Sequence, residues 1–201
     1  MSRLFKLCIC NLVLIIFLVS CSNSTNVSED KEDINLYASS FEKLLDDYPQ
    51  LESTYNRIPT KLHDKIVAPS LEEIPFKVEE VKLDYDNDPT GMIPAIMILY
   101  TGDNKRVTST VWYHDGTSIP GKELLLDHDI KAFYLNNIEE IAITWRDPDK
   151  NSKLLYRVGL LTFEKGSLTK AKNQLSKDDA VSIANSMINN YYRSRSETQN
   201  D

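Results

Sequence analysis

Glycine is scarce, with 6 in 201 residues, and no complete phosphate loop, dinucleotide fingerprint or Gly-x-Ser-x-Gly elbow is present. This removes the usual backbones for cradling a phosphate or presenting a serine nucleophile. Cysteine is rarer still: Cys8, Cys10 and Cys21 all sit near the N-terminus, so the body of the chain has neither a disulfide nor a thiol nucleophile. His63, His114 and His128 are widely separated and give no zinc-ligand spacing. Positive charge is also in deficit, with 23 basic residues against 30 acidic ones and a net charge of -7. A surface of that sign repels nucleic acid and anionic headgroups, so no nucleic-acid partner is expected. What is there, 41% hydrophobic and 26% charged residues, is the composition of an ordinary folded domain.

The one long apolar run is Leu7 to Val19, broken by Cys8, Cys10 and Asn11. Arg3 and Lys6 precede it and Ser20 follows, which is the order of a secretory signal: cationic start, apolar stretch of roughly 7 to 15 residues, small residues before the cut. It falls short of the about 20 residues that a spanning helix needs. Its last four residues, Leu18-Val19-Ser20-Cys21, resemble the lipobox of bacterial lipoproteins. That resemblance implies a diacylglyceryl group on the Cys21 thiol and cleavage between Ser20 and Cys21, so that residues 1–20 form a signal peptide. The membrane is then a partner reached through diacylglycerol-modified Cys21, each buried acyl methylene contributing about 0.8 kcal/mol. The expected location is the cell membrane, lipid-anchored on its extracytoplasmic face.

Residues 21–33 are polar and acidic apart from Val27 and read as a flexible tether. Residues 34–193 read as one α+β domain, and 194–201 as a polar tail. Ile34, Tyr37, Ala38, Phe41, Leu44, Leu45 and Tyr48 recur at helical steps until Pro49. Pro59 and Pro69 interrupt the next stretch, leaving room for a short helix around 61–67. From Phe76 the period becomes that of strands. Phe76 and Val78 fall on one phase and Val81, Leu83 and Tyr85 on the other, which predicts a bulge near Glu79 and Glu80. Further strands are expected at 92–100, 106–114, 123–126, 130–135, 138–146 and 154–163. Those at 92–100 and 154–163 are apolar on both phases, as for strands covered on both faces. Ser176 and Asp179 form a capping-box-like start to a helix carrying Ala180, Ile183, Ala184, Met187 and Tyr191 on one face. The fold class that follows is α+β: an antiparallel β-meander sheet of about seven strands covered by N- and C-terminal helices.

Residues 66–188 resemble a domain at the C-terminus of Gram-positive lipoproteins and of membrane-bound anti-sigma-factor-like proteins. The resemblance lies in Pro69-Ser70-Leu71 leading into Ile74-Pro75-Phe76-Lys77-Val78, in Ile141-Ala142-Ile143-Thr144-Trp145, and in Leu175-Ser176 before Ile183-Ala184-Asn185-Ser186-Met187. These are scaffold positions, and the resemblance brings no catalytic residue with it. The glycine common after the second proline is replaced by Phe76, and no zinc-binding anti-sigma segment precedes the domain. Regulation of a sigma factor is therefore not implied.

Candidate metal chemistry is thin. Asp84-Tyr85-Asp86-Asn87-Asp88 imitates the first half of a calcium loop, but Pro89 stands at the glycine position and Ala95 at the closing glutamate. Asp147-Pro148-Asp149-Lys150-Asn151 reads as a hairpin turn. In Asp127-His128-Asp129 a strand would point the imidazole away from both carboxylates, so a turn or strand-start surface is expected. Tyr100, Trp112, Tyr113, Tyr134, Trp145 and Tyr156 read as core and cross-strand aromatics. No metal, cofactor or catalytic residue is expected, and the chain reads as not an enzyme. The function expected is that of an extracytoplasmic sensor or interaction module with a protein partner in the cell envelope. The alternative is a carrier of lipid or another hydrophobic ligand.

Overall fold

The computed structural model describes residues 40–87, 94–116, 118–137, 140–164, 167–168 and 175–197. Residues 1–39, with the expected signal peptide, Ser20, Cys21, the expected tether and the start of the expected first helix, and residues 88–93 lie outside them. The chain divides into two compact units, Met1–Tyr37 and Ala38–Asp201, and all described residues belong to the second.

Helix α1 (Ser40–Asp47) buries Phe41 and Leu44, the stripe expected from their spacing, and gives way at Pro49 to a 3-10 turn, Pro49–Leu51. Proline suits this start because its missing N–H would be unsatisfied there in any case. A single turn of helix, α2 (Glu52–Tyr55), follows, and then further 3-10 turns at Thr60–Lys65 and Leu71–Glu73.

The sheet consists of β1 (Glu80–Asn87), β2 (Pro94–Gly102), β3 (Lys105–Tyr113), β4 (Lys122–Leu125), β5 (Lys131–Asn136), β6 (Ile141–Arg146) and β7 (Leu154–Glu164), with the two-residue β8 (Ser167–Leu168) paired to β7. The class is α+β and every pairing is antiparallel. The spatial order, β1-β2-β3-β7-β6-β5-β4, breaks the meander once: after β3 the chain crosses to the far edge and returns strand by strand until β7 closes on β3. At the anticipated bulge two residues face one: Glu79 N–H donates to the Thr101 carbonyl while Glu80 is the register partner of Thr101, where the chain enters β1 after Phe76 and Val78.

The turn from β2 to β3 is two residues long, and both of them, Asp103 and Asn104, have positive φ, 50° and 57°. Short polar side chains tolerate that backbone, which matches the twist of the flanking strands. Gly102 ends β2 where the chain before β1 crosses it: Glu79 N–H donates to the Thr101 carbonyl at 2.9 Å, and a Cβ on Gly102 would fall on the Lys77 carbonyl oxygen. No side chain fits that approach.

Register places the core in three rows across one face. Val81, Tyr100, Val107, Leu160 and Ile141 form the first; Leu83, Ile98, Ser109, Val158 and Ile143 the second; Tyr85, Ile96, Val111, Tyr156, Trp145 and Ala132 the third. Trp145 and Tyr156 stack across β6 and β7 with centroids 5.8 Å apart. Helix α3 (Lys177–Glu197) lies over β6 and β7 and buries Ala180, Ile183, Ala184, Met187, Ile188 and Tyr191. It runs into the 194–201 stretch that reads as tail, ending at Glu197. Its start is the capping box that Ser176 and Asp179 promise: Asp179 N–H donates to Ser176 Oγ at 3.1 Å and Ser176 N–H to Asp179 Oδ2 at 2.6 Å.

The other face is less covered than two-phase apolar strands suggest. Ala95, Met97 and Leu99 of β2 are only half-buried there, set beside Thr108, Thr110 and Trp112 of β3. On β7 the same face carries Arg157, paired with Glu140, and Gly159, where a Cβ would come within 2.6 Å of Thr108 Oγ1.

Candidate functional site

The segment from Lys65 to Glu73 is tied both to the sheet and to α3. Tyr156 Oη donates to the Lys65 carbonyl at 3.2 Å and Ser109 Oγ to the Val67 carbonyl at 3.2 Å. From the helix, Asn190 Nδ2 donates to the Ala68 carbonyl at 3.1 Å, Ser186 Oγ accepts from the Ser70 N–H at 2.9 Å, and Ser182 Oγ donates to Glu73. The other edge of the helix holds the Asp127–Asp129 turn between β4 and β5. Asp127 N–H donates to Asn185 Oδ1 at 2.9 Å, and Asn189 Nδ2 donates to Asp127 Oδ2 at 3.0 Å. His128 Nε2 donates to Asn189 Oδ1 at 2.9 Å, and its ring stacks on Tyr192 with centroids 4.3 Å apart.

Asp127 and His128 thus reach the same helix, whereas a strand would have sent them to opposite faces. The reason is the left-handed backbone of His128 and Asp129, both at φ 57°, which swings the imidazole around. Among the described residues no group of three or more His, Cys, Asp and Glu stands close enough to hold a metal ion.

The two tied segments leave between them a cleft of about 380 Å³ lined by Ser70, Glu73, Asp127, Ser182, Asn185, Ser186, Asn189, Asn190 and Arg193. Six of these lie on α3 at steps of three and four residues, two positions on from the apolar stripe and so on the opposite side of the helix. The stripe can be seen in the sequence. A polar outer helix face is ordinary, however, and only the neighbouring loops turn this one into the floor of a cleft.

The remaining sequence candidates separate. Asp84 and Asp86 alternate along β1 with exposed side chains, and Asp88 lies outside the described residues. Asp147 opens the β6–β7 turn as expected; it is buried, accepting from Tyr191 Oη at 2.7 Å and from the Asp149 N–H at 3.0 Å. His63 contacts the Ile58 carbonyl at 2.9 Å and stacks on Tyr55, centroids 4.1 Å apart. Burial, with Glu42 adding to it, raises the Tyr55 phenol above its ordinary pKa. His114 packs against Gly116, its Nε2 buried without a partner. Of the aromatic row, Tyr100, Trp145 and Tyr156 are core, while Trp112, Tyr113 and Tyr134 are half-buried. Gly116, Gly121 and Lys122 have the spacing of a phosphate loop, but Glu123 replaces its hydroxyl residue and β4 follows in place of a helix.

Beneath α3 the spaces are small. One of about 10 Å³ is lined by Val67, Trp145, Pro148, Tyr156, Met187, Ile188 and Tyr191, and another, between Ile66 and the β2–β3–β7 face, has room for no water. No helix among the described residues is long and apolar enough to cross a membrane. No family model, curated protein or solved structure matches the chain.

Proposed function

We propose that the chain is a lipoprotein, cut before Cys21, anchored through a diacylglyceryl group on that thiol, and presenting residues 34–193 outside the cytoplasmic membrane as a non-enzymatic sensor or interaction module. The observation that carries this reading is Leu18-Val19-Ser20-Cys21 directly after a cationic start and a single apolar run. The histidines support the non-enzymatic part: His63 and His128 each hold a hydrogen bond and a ring stack within the fold, and the half-buried His114 packs against Gly116. The carrier alternative requires apolar room for acyl chains, on the order of 300 Å³ or more. The space beneath α3 offers about 10 Å³, which favours the interaction module.

Metabolic labelling with a radioactive fatty acid tests the anchor. The wild-type protein takes up label and sediments with membranes. Cys21→Ala takes up none and accumulates as uncleaved precursor or in the medium. Persistent labelling of Cys21→Ala overturns the reading.

A further inference from the structure

The cleft over α3 deepens the interaction-module reading, and rests on it for where the ligand is met. Its lining decides the ligand's chemistry. All nine residues are polar or charged, so an acyl chain or hydrophobic side chain would strand their hydrogen-bonding groups against an apolar surface. Glu73 and Asp127 outnumber Arg193, which disfavours a phosphate or another anion. What fits is a ligand with many neutral groups that each donate and accept.

The fold leaves such partners in place. Asn185 gives its Oδ1 to the Asp127 N–H and keeps both Nδ2 protons; Asn190 gives its Nδ2 to the Ala68 carbonyl and keeps its Oδ1. Ser186 Oγ accepts from the Ser70 N–H and keeps its own proton. Donors and acceptors therefore stand together on one helical surface, and each is fixed from its other end, so binding costs little side-chain ordering. A volume of about 380 Å³ falls within the range of roughly 300 to 1,000 Å³ of small-molecule sites. We propose that this cleft binds a neutral saccharide, one or two sugar rings of an envelope glycan, with Asn185 and Asn190 as its principal hydrogen-bonding residues.

The test is an NMR titration of the purified full chain with chitotriose, cellotriose and maltotriose, and with inorganic phosphate for comparison. At least one saccharide is expected to shift amides of Ser70, Glu73, Asp127 and Ser182–Arg193, with phosphate producing no comparable change. Asn185→Ala and Asn190→Ala should each weaken saccharide binding about ten-fold, the loss of one hydrogen bond. Because both amides also secure loops, Ser182→Tyr serves as a second variant: it fills the cleft and keeps both amides, giving up only the exposed Ser182 to Glu73 hydrogen bond, and it should abolish binding while still unfolding cooperatively. The proposal is overturned by silence with all three saccharides, by shifts mapping elsewhere, by an equal phosphate response, or by undiminished binding in folded Ser182→Tyr. The titration is indifferent to what Cys21 carries. A negative titration beside positive fatty-acid labelling removes the saccharide alone, and the converse removes only the anchor.

Discussion

Tyr100 sits in the first cross-sheet row with 0% of its surface exposed, and its hydroxyl has no hydrogen-bond partner. In the unfolded chain that hydroxyl is hydrated, so folding strips it of water without replacement, a cost of about 1–3 kcal/mol. Tyr100→Phe removes the group and keeps the ring. The void left is roughly 10–15 Å³, about one water probe, and at about 24 cal/mol per Å³ costs roughly 0.3 kcal/mol. The variant should therefore be more stable than the wild type at neutral pH, by about 1–2 kcal/mol. Alkali should widen the gap. Burial, with Tyr48 adding to it, raises the Tyr100 phenol far above its ordinary value of 10.0. Above about pH 10 the unfolded state releases this proton while the folded state retains it, so wild-type stability falls as pH rises from the unfolded pKa toward the folded one. The fall reaches about 1.4 kcal/mol at roughly pH 11. Other tyrosines titrate in both proteins, so the difference between them isolates Tyr100. Urea unfolding followed by the fluorescence of Trp112 and Trp145 measures it. A variant destabilised by about 1 kcal/mol or more, or a gap the same at high pH as at neutral pH, refutes the burial argument.

Leu160→Ala, in the same row with 2% of its surface exposed, should cost about 2–5 kcal/mol in urea unfolding and leave saccharide binding unchanged, because it lies on the sheet side of the helix. Gly102→Ala should cost about 1–3 kcal/mol, since its Cβ must push the Lys77 carbonyl away from the end of β2; a Gly102→Ala melting midpoint equal to the wild type's would show that this crossing is looser than drawn.

Local signals proved readable where their physics is local. The Ser176–Asp179 box, the α3 apolar stripe and the β6–β7 turn each depend on residues within a few positions of one another, and each is present. The sheet order is different in kind. The short, half-charged β4 reads as an edge strand and β7 as a central one, but nothing within β3 specifies β7 as its neighbour, because that pairing depends on contacts about fifty residues apart, such as Ser109 with Val158. The phase change before β1 was legible for the same local reason as the capping box: Glu79 and Glu80 both face Thr101, and the extra residue shifts the alternation between Val78 and Val81.

The cleft shows why a site can be visible and still unreadable. Ser182, Asn185, Ser186, Asn189 and Asn190 follow helical spacing as strictly as the apolar residues do, but a solvated helix face needs only to be polar. Solubility alone, though, does not explain the choice of amides and hydroxyls over the lysine and glutamate that form helices better and are commoner on surfaces. Part of the explanation is structural, since these short side chains hold the 68–73 segment and the 127–129 turn at both edges of α3. For that holding, one end of each amide suffices. Asn185 and Asn190 each keep the other end uncommitted, and this remainder beyond what the fold uses is what a ligand can engage.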